Sequence, residues 1–169
     1  MAEEAEKVFL VDAYSDPVKI QVHGRVNFLN CSPLRTFIRK MFDDGKRQFV
    51  FDFTDCTGMD STFLGILAGA AIELKKLDPS EQLVFTGLGE RNLELIKNLG
   101  LHRICVLQAA KESETTFSGT GLDEGQQLSE PESARMVLDA HQNLIQTDPG
   151  NMEKFQDVIT FLKNQVGDS

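Results

Sequence analysis

The chain has 169 residues and a mass of 18.8 kDa, enough to bury a core without disulfide or metal staples. Its 26 acidic against 17 basic side chains give a net charge of −9, which argues against nucleic acid as a partner, because phosphate binding needs clustered Lys and Arg. Three cysteines, Cys31, Cys56 and Cys105, are odd in number and lack C-x-x-C spacing, so a disulfide framework and a zinc ribbon are disfavoured. No apolar run reaches the length of a membrane span, and the acidic residues 1–6 do not resemble the basic start of a signal peptide. The expectation is a soluble, cytoplasmic protein without membrane insertion.

In chain order, residues 8–11 and 18–22 read as short strands, parted by the turn signal Ser15-Asp16-Pro17. Ser32 and Pro33 fit an N-cap and first helical position. Leu34, Phe37, Ile38, Met41 and Phe42 then form the apolar stripe of an amphipathic helix, closed by Asp43-Asp44-Gly45. The nearly continuous apolar run 49–53 predicts a strand covered on both faces or central in its sheet. Residues 54–60 read as a loop ending in Asp60, a good N-cap. A helix rich in Leu, Ile and Ala is predicted over 61–77, where Gly65, Ala68, Gly69, Ala70 and Ala71 allow close backbone approach. Residues 83–86 read as a strand, 91–99 as a helix capped by Gly100, and 104–107 as a last strand. The order β-β-α-β-α-β-α-β predicts an α/β layer with helices on a mixed sheet.

Charge divides the chain. Residues 1–107 carry 13 basic and 15 acidic side chains, residues 108–169 only 4 against 11, so the excess acidity lies in the last third. Residues 111–127 are polar and rich in Gly, Ser and Thr, the pattern of a linker. The expected organisation is a domain over 1–108, a linker over 109–128 and an acidic helical extension over 129–169. In the extension, Ser129 and Glu132 have capping-box spacing, Asp148-Pro149-Gly150 makes a turn, and Met152, Phe155, Ile159, Leu162 and Val166 recur at helical steps. Two short helices bury little surface alone, so they are expected to pair as a hairpin and dock, on the domain or across a homodimer.

Several motifs fail. Gly87-Leu88-Gly89 invites a dinucleotide fingerprint, but the third glycine position holds Asn92 and the strand comes too late. His23, His102 and His141 lack ligand spacing. Asp52, Asp55 and Asp60 read as strand-end and capping residues rather than a metal cluster, and Cys56 as a small buried thiol. No set of nucleophile, base and orienting group assembles, so the chain reads as a non-enzyme without cofactor or metal.

The segment FDFTDCTGMDSTFLG, residues 51–65, is the most informative. It resembles the signature of STAS domains, the fold of bacterial anti-sigma-factor antagonists: a strand ending in Asp, a short loop, then Asp, Ser, a second hydroxyl residue and Gly-Leu-Gly opening a helix. Residues 22–26 (VHGRV), the helix after them, and the strand and helix over 83–101 with their closing Leu-Gly-Leu follow the same family order, so the resemblance covers about residues 8–107. It implies a mixed-sheet STAS fold and a non-catalytic interaction switch in transcription control. Ser61 would be the residue phosphorylated, with Thr62 as fallback acceptor. The implied partner is a serine kinase that doubles as an anti-sigma factor, or a related regulatory ATPase. The implied docking face is Asp55, Gly58, Met59, Asp60, Phe63, Leu64, Gly87 and Gly89, with Met59 and Phe63 partly exposed as apolar anchors. Phe63 departs from the family pattern, which has Gly there. Two rival readings are a structural STAS subunit of a transporter ATPase and a small-ligand or nucleotide sensor using the loop at Gly58 and the turn at Gly87–Gly89. The helix start favours the modification on physical grounds, since its free N–H groups and dipole stabilise added negative charge.

Overall fold

The computed structural model describes residues 7–110, 117, 119–125 and 127–167. In chain order its first half comprises β1 (Phe9–Asp12), β2 (Val18–Val22), β3 (Gly24–Val26), α1 (Ser32–Asp43), β4 (Phe49–Asp52), β5 (Cys56–Met59) and α2 (Ser61–Leu77). There follow β6 (Leu83–Thr86), α3 (Glu90–Asn98), a 3-10 turn at Leu101–Arg103, β7 (Cys105–Gln108), β8 (Thr120–Gly121), α4 (Glu130–Thr147) and α5 (Asn151–Val166).

Among the described residues, six strands form one mixed sheet in the order β7-β6-β4-β2-β1-β8. The β1–β2 hairpin is antiparallel, while β2, β4, β6 and β7 run parallel, as strands joined through helices must. Burial alternates along each strand. Phe9, Val11, Val18, Ile20, Val22, Phe49, Phe51, Leu83 and Phe85 are buried, whereas Leu10, Lys19, Val50, Asp52, Val84 and Thr86 are half-buried. The sheet therefore keeps one fully covered face. The run at 49–53 is central, as expected, but only its alternate residues are fully buried. Phe85 packs edge-on against Phe51 and Phe53, with centroids 5.5 and 5.2 Å apart. Full burial of such a side chain contributes roughly 2–3 kcal/mol.

The expected loop over 54–60 contains a strand. β5 pairs in parallel with β3 as a separate two-stranded sheet, with an irregularity between Gly24 and Arg25. The helix expected to take Ser32 as N-cap begins one residue earlier: Cys31 holds the cap position, and Ser32 and Pro33 open the first turn. Part of the segment expected as a linker lies outside the described residues. Within it, Thr120 and Gly121 pair with Val11 and Leu10 as an antiparallel edge strand.

The extension forms the expected hairpin. Ser129 and Glu132 make a reciprocal capping box, the Ser129 hydroxyl accepting from the Glu132 N–H at 3.2 Å and the Glu132 carboxylate from the Ser129 N–H at 2.8 Å. α4 packs along α2, so the hairpin docks on the chain's own domain. Met136, Ala140 and Leu144 join the central core, while Leu138, Ile159 and Leu162 make a second cluster between the two helices. The elbow is bolted down by Asn151, which is wholly buried. Its amide nitrogen donates to Leu99 O at 3.0 Å and Leu144 O at 2.7 Å, and Lys154 Nζ reaches Asn98 O at 2.9 Å.

Candidate functional site

The start of α2 is placed by pairing on both sides. β5 delivers the chain to Asp60, whose N–H donates to Val26 O of β3 at 3.2 Å. Asp60 has extended backbone and caps α2: Oδ1 accepts the Phe63 N–H at 2.9 Å and Oδ2 the Phe28 N–H at 2.9 Å. One carboxylate thus ties the helix start to the loop after β3. That loop is shaped by Asn27 and Asn30, whose side chains accept the backbone N–H groups of Leu29 and Asn27. Phe28 and Leu29 are left outside, 45% and 79% exposed, beside the helix start.

Ser61 is the first residue of α2 and is half-buried. Its hydroxyl lies 2.8 Å from Nε2 of His141 on α4. Nδ1 of the same ring lies 2.7 Å from Val137 O, which can only accept. Nδ1 therefore carries the proton, and in the neutral ring Nε2 accepts from the Ser61 hydroxyl. His141 is itself buried, its ring edge-on against Phe155 at 4.8 Å.

The other expected site residues divide. Asp55 is exposed and 3.7 Å from His23 Nδ1. Gly58 lies against the stem of Arg25, and Met59 is half-buried. Gly87 adopts φ +71° and sits so close to Thr54 that a side chain there would overlap its hydroxyl, so this turn does abut the end of β4. Gly89 is exposed and caps α3. Phe63 is not an exposed anchor: it is 0% exposed, with its ring 6.0 Å from that of Phe9. Leu64 is likewise buried, because both side chains turn under α2 into the core. Thr62 is 4% exposed, which withholds the fallback hydroxyl from an enzyme acting on the folded chain.

Asn92 is buried, and its amide donates to Cys56 O at 3.1 Å, fastening α3 to β5. Asp52 accepts from the backbone and hydroxyl of Thr54. Among the described residues, no group of three or more His, Cys, Asp or Glu side chains is arranged to hold a metal. None of their helices is long and apolar enough to cross a membrane. Burial pushes the thiols of Cys31 and Cys105 up to about 12, with the Asp60 charge adding to the shift at Cys31. Burial also raises that of Cys56. A groove of about 520 Å³ lies between α1, α2 and α4, lined in part by Arg35, Arg39, Glu73 and Asp139, and a second of about 360 Å³ borders Phe28 and Leu29. Neither is lined by Gly58 or the Gly87–Gly89 turn.

Sequence reasoning missed Phe28, Leu29 and His141. The first two carry a faint signal, adjacent large apolar residues inside a turn. His141 carries none, since its partner lies 80 residues away.

The sheet order, the capped serine opening α2 and the run 51–65 define a STAS domain. The family profile described as "Mlab, STAS domain" matches residues 9–108, and the chain belongs to that family. Solved structures of SpoIIAA are among those that share the fold. The anti-sigma factor antagonist SpoIIAA in its unphosphorylated form is 17% identical, with a TM-score of 0.54 over 62% of this chain and 89% of that one. The Bacillus cell fate determinant SpoIIAA in its phosphorylated form is 18% identical, with a TM-score of 0.51 over 62% and 92%. No curated protein matches the chain.

Proposed function

We propose that this chain is a non-catalytic, cytoplasmic protein-interaction switch of the anti-sigma-factor-antagonist kind, set by phosphorylation of Ser61. The unmodified chain binds its partner, a serine kinase acting as anti-sigma factor or a related regulatory ATPase, and the phosphorylated chain is released. The observation that carries this reading is Ser61 itself. It opens α2, is only half-buried, and spends its hydroxyl on a side chain rather than on backbone. Phosphate there would add nearly two negative charges, which the helix N-terminus stabilises by up to about 1 kcal/mol. The fold survives. A partner packed on the same spot has to desolvate the phosphate, at a cost of several kcal/mol. Phe28 and Leu29 supply apolar anchors beside the serine, in place of the buried Phe63.

The test is capture from the native host with wild type, Ser61→Ala and Ser61→Asp, with mass spectrometry of the Ser61 peptide. Expected are a kinase-like partner held by wild type and Ser61→Ala, weaker capture by Ser61→Asp, and a phosphate on Ser61. A transporter ATPase as the captured protein, with Ser61 never modified, would overturn the reading in favour of a structural subunit.

A further inference from the structure

On α2, Ser61, Gly65 and Gly69 recur every four residues and share one stripe, and α4 lies along it. The two glycines have no side chain to hold α4 away. A methyl group on Gly65 would overlap the carbonyl group of Ala140, and one on Gly69 would overlap the amide nitrogen of Asn143. Asn143 Nδ2 also donates to Gly65 O at 3.2 Å. Backbone contact at Gly65 fixes how far α4 stands from α2 at Ala140, and the adjacent residue, His141, sets its ring on Ser61. At 2.8 Å, Oγ and Nε2 are already in hydrogen-bonding contact, so the line between them has no volume for a phosphorus atom and three oxygens.

Resting on the reading of Ser61 as the phosphoacceptor, we infer that the α4–α5 hairpin is an intrachain cap on the switch. It holds the Ser61 hydroxyl in the unmodified chain and cannot stay docked at its His141 turn once Ser61 is phosphorylated. The modification forms an Oγ–P bond and breaks the γ-phosphate's bond to the departing nucleoside diphosphate of a nucleoside triphosphate held by the kinase. The hydroxyl proton goes to the kinase's base, so the group that donated to Nε2 is gone. What replaces it is a bulky anion facing a buried ring whose other nitrogen is committed to Val137 O. Release of α4 bares the Gly65–Gly69 stripe of α2 together with Met136, Ala140 and Leu144 of α4, all otherwise buried apart from Gly69. Phosphorylation then has a second output, a freed helix, besides the partner affinity.

Hydrogen exchange on the full-length chain alone tests this, comparing wild type with a chain carrying phosphoserine at position 61 through an expanded genetic code. Expected is exchange in residues 136–144 faster by about tenfold or more, with β2, β4 and β6 still protected. Should the phosphoserine chain not fold, Ser61→Glu places a smaller anion at the same point and should show the same pattern at lower amplitude. Unchanged protection of 136–144 would overturn the inference, as would increased protection, which would mean that His141 binds the phosphate and tightens the cap. Because no partner is present, failure here is distinct from failure of the capture experiment.

Discussion

Gly65 and Ala140 meet backbone to backbone, with no room for a Cβ on the glycine. The contact joins the family domain to its extension and explains a glycine inside an otherwise good helix. Alanine there would gain about 1 kcal/mol of helix propensity. It would also push on a carbonyl group that cannot swing aside, and overpacking of this kind costs about 1–3 kcal/mol. Gly65→Ala should therefore be net destabilising, by up to about 2 kcal/mol in urea titration. Gly69→Ala meets only the side-chain amide of Asn143, which can swing aside by giving up its bond to Gly65 O, and should cost less than Gly65→Ala. Equal loss at both positions would contradict the assignment of Gly65 as the tight crossing point.

Removal of the Asn151 amide takes a donor from Leu99 O and from Leu144 O at a buried elbow, the latter keeping only the Asp148 N–H. Asn151→Ala should cost about 1–3 kcal/mol. Loss of protection should be concentrated in α5 and the end of α4. A change confined to thermal fraying of the last turn would show that the elbow is not anchored there.

The three described thiols should be inert. Cys31 and Cys105, pushed up to about 12, should resist alkylation in the native protein at pH 8 and react on unfolding. The linkage has a definite sign. An ordinary thiol near 9.0 ionises in the unfolded chain first, so the folded state alone retains the proton above that pH. The contribution of these thiols to stability is complete below about pH 9 and is lost as pH rises toward 12. Replacement of Cys105 by Ala should flatten the alkaline limb of stability against pH. An unchanged slope would contradict the shift.

Phe63 and Phe28 should behave oppositely. Phe63→Ala removes a ring from the core and should cost about 3–5 kcal/mol. Phe28→Ala and Leu29→Ala should leave stability within about 0.5 kcal/mol, as surface changes do. Each should weaken partner binding by about tenfold or more. Calorimetry on the free chain and titration with the captured partner separate the two effects.

Much of the fold is legible in the sequence because its signals are local. The stripe from Leu34 to Phe42, the α2 boundaries at Asp60 and Asp78, and the Ser129–Glu132 box each depend on residues within one or two turns. The β3–β5 pair is not legible, since three or four residues such as Gly24-Arg25-Val26 show no alternation and gain meaning only from a partner some 30 residues away. Phe63 misled for a related reason. A residue near a helix start can face outward or inward, and Phe9 on a distant strand decides which. The site was half readable. Asp60 and Ser61 stand together in the family run, whereas His141 is recruited by the packing of α4 on α2 and has no trace in local sequence.

The most direct measurement is the affinity of the captured partner for the unmodified chain and for the chain bearing phosphoserine at 61, titrated side by side at one ionic strength. A loss of about a hundredfold or more, near 3 kcal/mol, is expected. Equal affinity for the two forms would contradict a phosphorylation switch at Ser61.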